Sequence, residues 1–330
     1  MPLARAVTSF LHGSKATFTA VVLAVAACVV AMLVDAVPPM LAPSGVVLPS
    51  ANLWIENPII SAAVNTLVII VIALAMLYVN RIFNVLRSLT HLVATIFLII
   101  MASTPSMAAT LYSGTVAALL LILCTMLMFS TYGKNPDRRT VFLIFFLIVG
   151  AATTRVCYLF FLPAMLFGTM QMGIFSPRTF LAALLGAITP VWIVFGVSLL
   201  WPVELRWPDE AFSLIPAFDF SDALPLLVTV AFTMLLGLGF MVANLMKILS
   251  YNARVRSFNG FLTMLLIYTA LLIILNFGNI RFYVPLLNCL AAYQIGHFFT
   301  YRRTTRSYIP ILAIIACYIA LYMWSITTNI

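Results

Sequence analysis

Five ionisable residues stand at the edges of apolar stretches, where a charge is costly, and are the first candidates for chemistry: Asp35, Glu56, Arg155, Arg206 and Arg281. Asp35 ends the first apolar run and Glu56 precedes the second. Arg155 interrupts an otherwise continuous stretch, Arg206 lies in an aromatic segment, and Arg281 sits in the run NFGNIRFY from Asn276 to Tyr283. A guanidinium grips phosphate or carboxylate through paired hydrogen bonds, and a carboxylate at a dry boundary can serve as a base. Arg155, Arg281 and Arg206 are therefore candidates for binding an anionic substrate, and Asp35 and Glu56 candidates for catalysis. The competing explanation is that charges at helix ends snorkel into head groups or pair with one another. Arg155 and Arg281 resist it best. Each sits in a short turn beside polar groups, Thr153 and Thr154 in one case, Asn276 and Asn279 in the other.

Other chemistry finds little support. His12, His91 and His297 are scattered, with no second histidine three or four residues away, so neither a metal centre nor any other cofactor is expected. The five cysteines, Cys28, Cys124, Cys157, Cys289 and Cys317, all fall inside apolar segments without a Cys-x-x-Cys spacing and read as small buried hydrophobes. No Walker loop, dinucleotide glycine fingerprint, Gly-x-Ser-x-Gly elbow or His-Glu-x-x-His occurs, which excludes nucleotide hydrolysis within this chain. Asn65, Thr66, Thr189, Asn244, Asn288, Gln294 and His297 lie within apolar runs, where hydrogen bonding between helices is the default role.

The elements that must position these residues are membrane helices. Hydrophobic residues make up 64% of 330 positions and charged residues 8%, so lipid is the solvent of this fold. Apolar runs predict about eleven spans, near 17–34, 59–79, 88–104, 107–129, 140–155, 157–174, 179–200, 224–246, 260–276, 283–300 and 309–326. The fold class is all-α polytopic, and 1–330 reads as one transmembrane domain. The first run is too long for a signal-peptide core and reads as a retained span.

The net charge of +9 reads as topology rather than as nucleic-acid binding. A cytoplasmic N-terminus places fourteen of the seventeen Lys and Arg inside, leaving only Arg155, Arg206 and Arg281 on the other face. An odd number of spans then sends the C-terminus outside. Two outer loops stand out. Positions 35–58 carry Pro38, Pro39, Pro43, Pro49 and Pro58, which exclude a regular helix, with Trp54 suited to the interface. Positions 201–223 alternate aromatic residues with acids and predict a short amphipathic segment on the outer surface. The weakest pair of spans is 140–174, where Arg155 either ends a short helix or sits within the membrane near its outer boundary.

The stretch Thr179 to Pro190 (TFLAALLGAITP), the preceding Leu159 to Pro163 (LFFLP), Asn65, and the Ser103-Thr104-Pro105 break together resemble a family of uncharacterised multi-spanning bacterial inner-membrane proteins. More distantly, an acid just past the first span, Asp35 here, is similar to polyprenyl-phosphate-sugar-dependent glycosyltransferases of the GT-C type and to polysaccharide polymerases. The chain departs from them in having no acidic x-Asp pair after it and no large outer domain. These resemblances imply a bacterial inner membrane and a role in the cell envelope. The partners they imply are membrane lipids, a lipid-linked sugar among them. Three functions follow as expectations: a handler of lipid-linked saccharide or anionic lipid at the outer face, a transporter or flippase, and a non-catalytic subunit of a larger complex.

Overall fold

A computed structural model describes residues 2–33, 46–133, 137–200, 212–214, 220–301 and 308–328. Among the described residues the regular structure is all helical, without strands. A short α1 (Pro2–His12) turns at Gly13 into α2 (Ser14–Leu33), followed by α3 (Pro58–Phe83), α4 (Leu92–Ala102), α5 (Pro105–Ala108) and α6 (Ser113–Ser130). Then come α7 (Arg138–Ala152), a 3₁₀ turn (Val156–Phe161) leading into α8 (Leu162–Gln171), and α9 (Pro177–Leu200). The chain closes with α10 (Phe220–Ile248), α11 (Ala253–Leu275), α12 (Ile280–Tyr301) and α13 (Tyr308–Thr328). Seven of these, α2, α3, α6, α9, α10, α11 and α13, are long and apolar enough to cross a membrane.

These seven match seven of the eleven expected runs; those over 88–104, 140–155 and 157–174 hold shorter helices, and that over 283–300 lies on α12, which is not among the seven. Boundary differences have local causes. Asn57 caps α3, its Oδ1 accepting from Ile59 and Ile60 backbone N–H groups, and Pro58 occupies the first turn, where no N–H is needed. Asn84 ends that helix in the left-handed conformation at φ 51°. α10 begins at Phe220 and α11 at Ala253, both earlier than their apolar runs, because polar first turns extend beyond the hydrophobic stretch.

The run expected as one span over 107–129 is broken. Pro105 opens the four-residue α5, and Tyr112 is extended (φ −127°, ψ 144°) before α6 starts. Irregular backbone at membrane depth survives only where protein supplies the missing partners. Asn65, two turns into α3, does so: its Nδ2 donates to the carbonyls of Met107 (2.9 Å) and Ala108 (3.0 Å), while its Oδ1 accepts from the Thr115 hydroxyl. Ser61 accepts from the Leu111 N–H at 2.9 Å.

The hub of the bundle is α12, which packs on α4, α6, α10 and α11 and is buried along nearly its whole length. Pro285 lies inside it, leaving the Arg281 carbonyl without its usual i+4 donor. Gly114 of α6 fills that gap: a Cβ there would meet the Arg281 and Phe282 carbonyl oxygens at 2.8 Å. By contrast α9 leans chiefly on α7, Gly186 lying against the Phe142 backbone, and beyond Pro190 its apolar side chains are largely exposed, as lipid contact permits.

Helices alternate in direction, so charge sorts by end. Thr17 and Thr95 pair at the starts of α2 and α4, and Phe129 stacks on Phe258 with Phe83 edge-on to both where α3 and α6 end and α11 begins. Lys15, Arg81, Arg87, Arg138, Arg139, Arg178, Lys247, Arg254 and Arg256 gather at that end, and Arg155 and Arg281 at the other.

Gly114→Ala is expected to cost about 1–3 kcal/mol by overpacking α6 against α12, and Asn65→Ala a similar amount by stranding two carbonyls. Thermal unfolding in nanodiscs checks both; wild-type melting in either variant would show that the break is held by something else.

Candidate functional site

Three irregular segments meet at the Arg155 end: the break at 109–112, the turn at 153–155 and the turn Phe277–Asn279 between α11 and α12. α7 stops at Ala152, and Thr153 and Thr154 turn their hydroxyls back onto the Gly150 and Ala151 carbonyls. Arg155 then takes extended backbone (φ −160°, ψ 124°), which redirects its side chain into the bundle instead of along the helix axis.

Arg155 is 9% exposed. Its guanidinium donates to Asn279 Oδ1 at 2.7 Å and, more weakly, to the Tyr112 hydroxyl at 3.5 Å. It also lies over the Phe282 ring at 5.4 Å and the Tyr112 ring at 5.9 Å. The Cys157 thiol faces both the guanidinium and the Tyr283 hydroxyl. Every one of these partners is neutral or aromatic, and among the described residues no carboxylate pairs with Arg155. A guanidinium stays protonated at any relevant pH, so the site holds a fixed positive charge.

A second tier of amides fixes the first. Asn279 Nδ2 donates to Asn276 Oδ1 (3.0 Å), and Asn276 Nδ2 donates to the Tyr283 hydroxyl (2.9 Å). Asn276 Oδ1 also accepts from the Ser213 N–H (3.0 Å), while the Gly278 N–H donates to the Ser213 carbonyl (2.8 Å). The 201–223 loop is thereby clasped at Ser213 to the turn that holds Arg155. The other is fastened nearby: the Val47 and Leu48 N–H groups donate to the Thr153 carbonyl, and Asn52 Oδ1 accepts from the Ser113 N–H and hydroxyl.

The sequence candidates separate accordingly. Arg155 is buried at the centre of this cluster. Arg281 opens α12 between Asn279 and Phe282, both of which hold Arg155, and its own side chain is half-buried. Glu56 is exposed beside the cap of α3 and makes no hydrogen bond to the Arg155 cluster among the described residues. Asp35 and Arg206 lie outside the described residues, as do 35–45 of the first long loop and most of 201–223. Tyr112, Cys157 and Phe282 were not legible as site residues. Asn279 was noticed beside Arg281, but its partner is Arg155. No three His, Cys, Asp or Glu side chains gather as a metal site among the described residues. The polar residues within helices are engaged in helix contacts: Asn244 Nδ2 donates to the Gln294 carbonyl and Oε1, Gln294 Nε2 to Thr263, and Asn288 Nδ2 to the Met101 sulfur. Compared with known protein families, curated proteins and solved structures, the chain matches none.

Asn279→Ala removes the one short hydrogen bond to the buried guanidinium and is expected to cost about 1–3 kcal/mol. Asn279→Asp supplies a carboxylate in the same place and is expected to be at least as stable as wild type. Melting temperatures of the two variants in one lipid composition check the sign; a less stable Asp variant would mean that Arg155 is already neutralised.

Proposed function

We propose that the chain is a multi-pass protein of a bacterial inner membrane, crossing about eleven times with its N-terminus in the cytoplasm. In this reading Arg155 receives the anionic head group of a lipid, or of a lipid-linked saccharide, at the outer face. The observation that carries it is the burial of Arg155 among neutral partners. A charge removed from water and left without a counter-charge is costly, so ionisable groups at membrane depth mark binding sites by default. Guanidinium suits phosphate geometry, and the clustering of basic residues at the opposite end supports the outward placement of Arg155. Arg281, half-buried at the start of α12, is the second cation within reach of the same face.

Binding is a stronger reading than catalysis. The carboxylate base of the enzyme reading would be Glu56 or Asp35, and Glu56 is exposed and unconnected to Arg155 among the described residues. A second reading, translocation of the head group, is favoured by the broken pass at α5 and α6, because discontinuous helices with backbone at membrane depth are where transporters place their substrates. A non-catalytic subunit is the reading to adopt if the Arg155 site proves dry.

Electron microscopy of the protein in nanodiscs containing anionic lipid is expected to show head-group density beside Arg155, and Asn279→Asp is expected to abolish that density without unfolding the protein. A dry, closed site in wild type would overturn the binding reading. The orientation is checked separately. In a cysteine-free background, Glu56→Cys is expected to react with a membrane-impermeant maleimide on intact cells, and Leu89→Cys only after permeabilisation; the reverse pattern would invert the topology.

A further inference from the structure

The opposite end of α12 carries a second cluster, independent of the Arg155 reading. Lys247, in the last turn of α10, lies over the Phe298 ring at 4.5 Å and acts electrostatically on His297. His297 is 2% exposed, and its Nε2 pairs with the Tyr251 hydroxyl at 3.0 Å. Arg87 stacks over the Tyr251 ring at 5.0 Å and holds a left-handed backbone, φ 55°. A non-glycine residue persists in that conformation only where its surroundings over-determine it. Here they do: the Arg87 N–H bonds the Asn84 carbonyl, and Asn80 brackets the loop through the Leu86 N–H and the Ser88 carbonyl.

Helix-dipole and topology arguments account for Lys247 and Arg87 as cations at such an end. They do not account for two buried polar atoms beside them. His297 Nδ1 and the Thr300 hydroxyl have no hydrogen-bond partner among the described residues. Thr300 departs from the pattern of several buried threonines in this protein's helices. Thr125, Thr229, Thr233 and Thr269 all return their hydroxyls to the carbonyl four residues earlier, the usual refuge of a threonine in a dry helix. His297 and Thr300 are three residues apart and so share one face of α12. When the Tyr251 hydroxyl donates to Nε2, the ring proton sits on Nδ1, and the orphan atom is a donor. One face thus presents two unspent donors, the first of them beside the Lys247 ammonium group.

We propose that Lys247, His297 and Thr300 form a site for a phosphate-bearing anion, filled in the membrane by the head group of an anionic phospholipid. The ammonium supplies the charge, and His297 Nδ1 and Thr300 Oγ1 supply hydrogen bonds to the phosphoryl oxygens. The same chemistry would accept a free phosphate, so the test must separate the two sources.

Full-length protein in mild detergent is titrated with phosphatidylglycerol or phosphatidylcholine, with and without millimolar inorganic phosphate, and retained lipid is counted by native mass spectrometry. Wild type is expected to retain phosphatidylglycerol over phosphatidylcholine. Lys247→Gln should weaken that retention about tenfold and Thr300→Val about threefold, whereas Thr300→Ser retains it, the scale expected for losing one charge-assisted or one neutral hydrogen bond. Asn279→Asp, which occupies Arg155, should leave the Lys247-dependent component unchanged, separating the two sites. Retention that survives inorganic phosphate identifies a lipid ligand, and retention displaced by it identifies a soluble phosphate at the same groups. Equal retention of both lipids, or Lys247→Gln and Thr300→Val variants of unaltered melting temperature that bind like wild type, would overturn the proposal and leave ordered water as the partner of the two orphan atoms.

Discussion

The structure depends on one constraint: α12 is buried along nearly its whole length, so the polar groups it carries draw their partners from the bundle. Hydrocarbon cannot supply a hydrogen bond. Its neighbours meet most of the demand. The Tyr293 hydroxyl donates to the Met76 carbonyl of α3, Gln294 bridges Asn244 and Thr263, Asn288 reaches the Met101 sulfur, and Tyr283 accepts from Asn276. These bonds are individually modest, of order 1 kcal/mol, yet together they fix which helices surround α12 and in what register. Gly114 and Gly296 remove the side-chain bulk that would keep α6 and α4 from its backbone, Gly296 lying against Val93.

The same constraint explains why hydropathy alone does not report burial here. Among the seven apolar spans α2, α9 and α13 are the least buried, their faces looking outward to lipid, whereas α4 is just as apolar and almost wholly buried. α12 carries asparagine, glutamine and histidine and is not among the seven helices that qualify as spans by length and composition, although it is the most enclosed. A helix solvated by other helices can tolerate amides that a lipid-facing helix cannot. Polarity along an apolar run therefore marks the centre of the bundle.

This is also why some of the structure was legible in the sequence and some was not. Helix positions were, since roughly 20 apolar residues between charges leave little alternative. So was the suspicion that Arg155 lies within the protein, because Thr153 and Thr154 beside it allow no long excursion. The break at 109–112 was not. Pro105 signals a disturbance, but whether the chain bends or unwinds depends on Asn65 standing across from it to satisfy the freed carbonyls, and that pairing spans more than forty residues of sequence. Partnership was likewise hidden at the site. Asn279 lies two residues from Arg281 and 124 from Arg155, and it is the distant arginine that it binds. Sequence proximity misleads here because consecutive residues at a helix start point in different directions, whereas the neighbouring helix end brings Arg155 directly against the turn.

The cluster around Arg155 is better understood as a seat for a charge than as a packing device. Packing would be served as well by an aliphatic residue, without removing a guanidinium from water, and replacing buried ions by apolar groups is commonly neutral or stabilising. What an arginine adds is directed hydrogen-bonding capacity, and among the described residues it meets a neutral amide through one short bond, a phenol through one long bond, the Cys157 thiol and two aromatic faces, none of them a carboxylate. The amide tier behind it, from Asn279 through Asn276 to Ser213 and Tyr283, holds that geometry from both the helix and the loop. In the anion-binding reading proposed above, this frame would meet the cost of ordering the donors in folding, so that an incoming head group would find them already aimed.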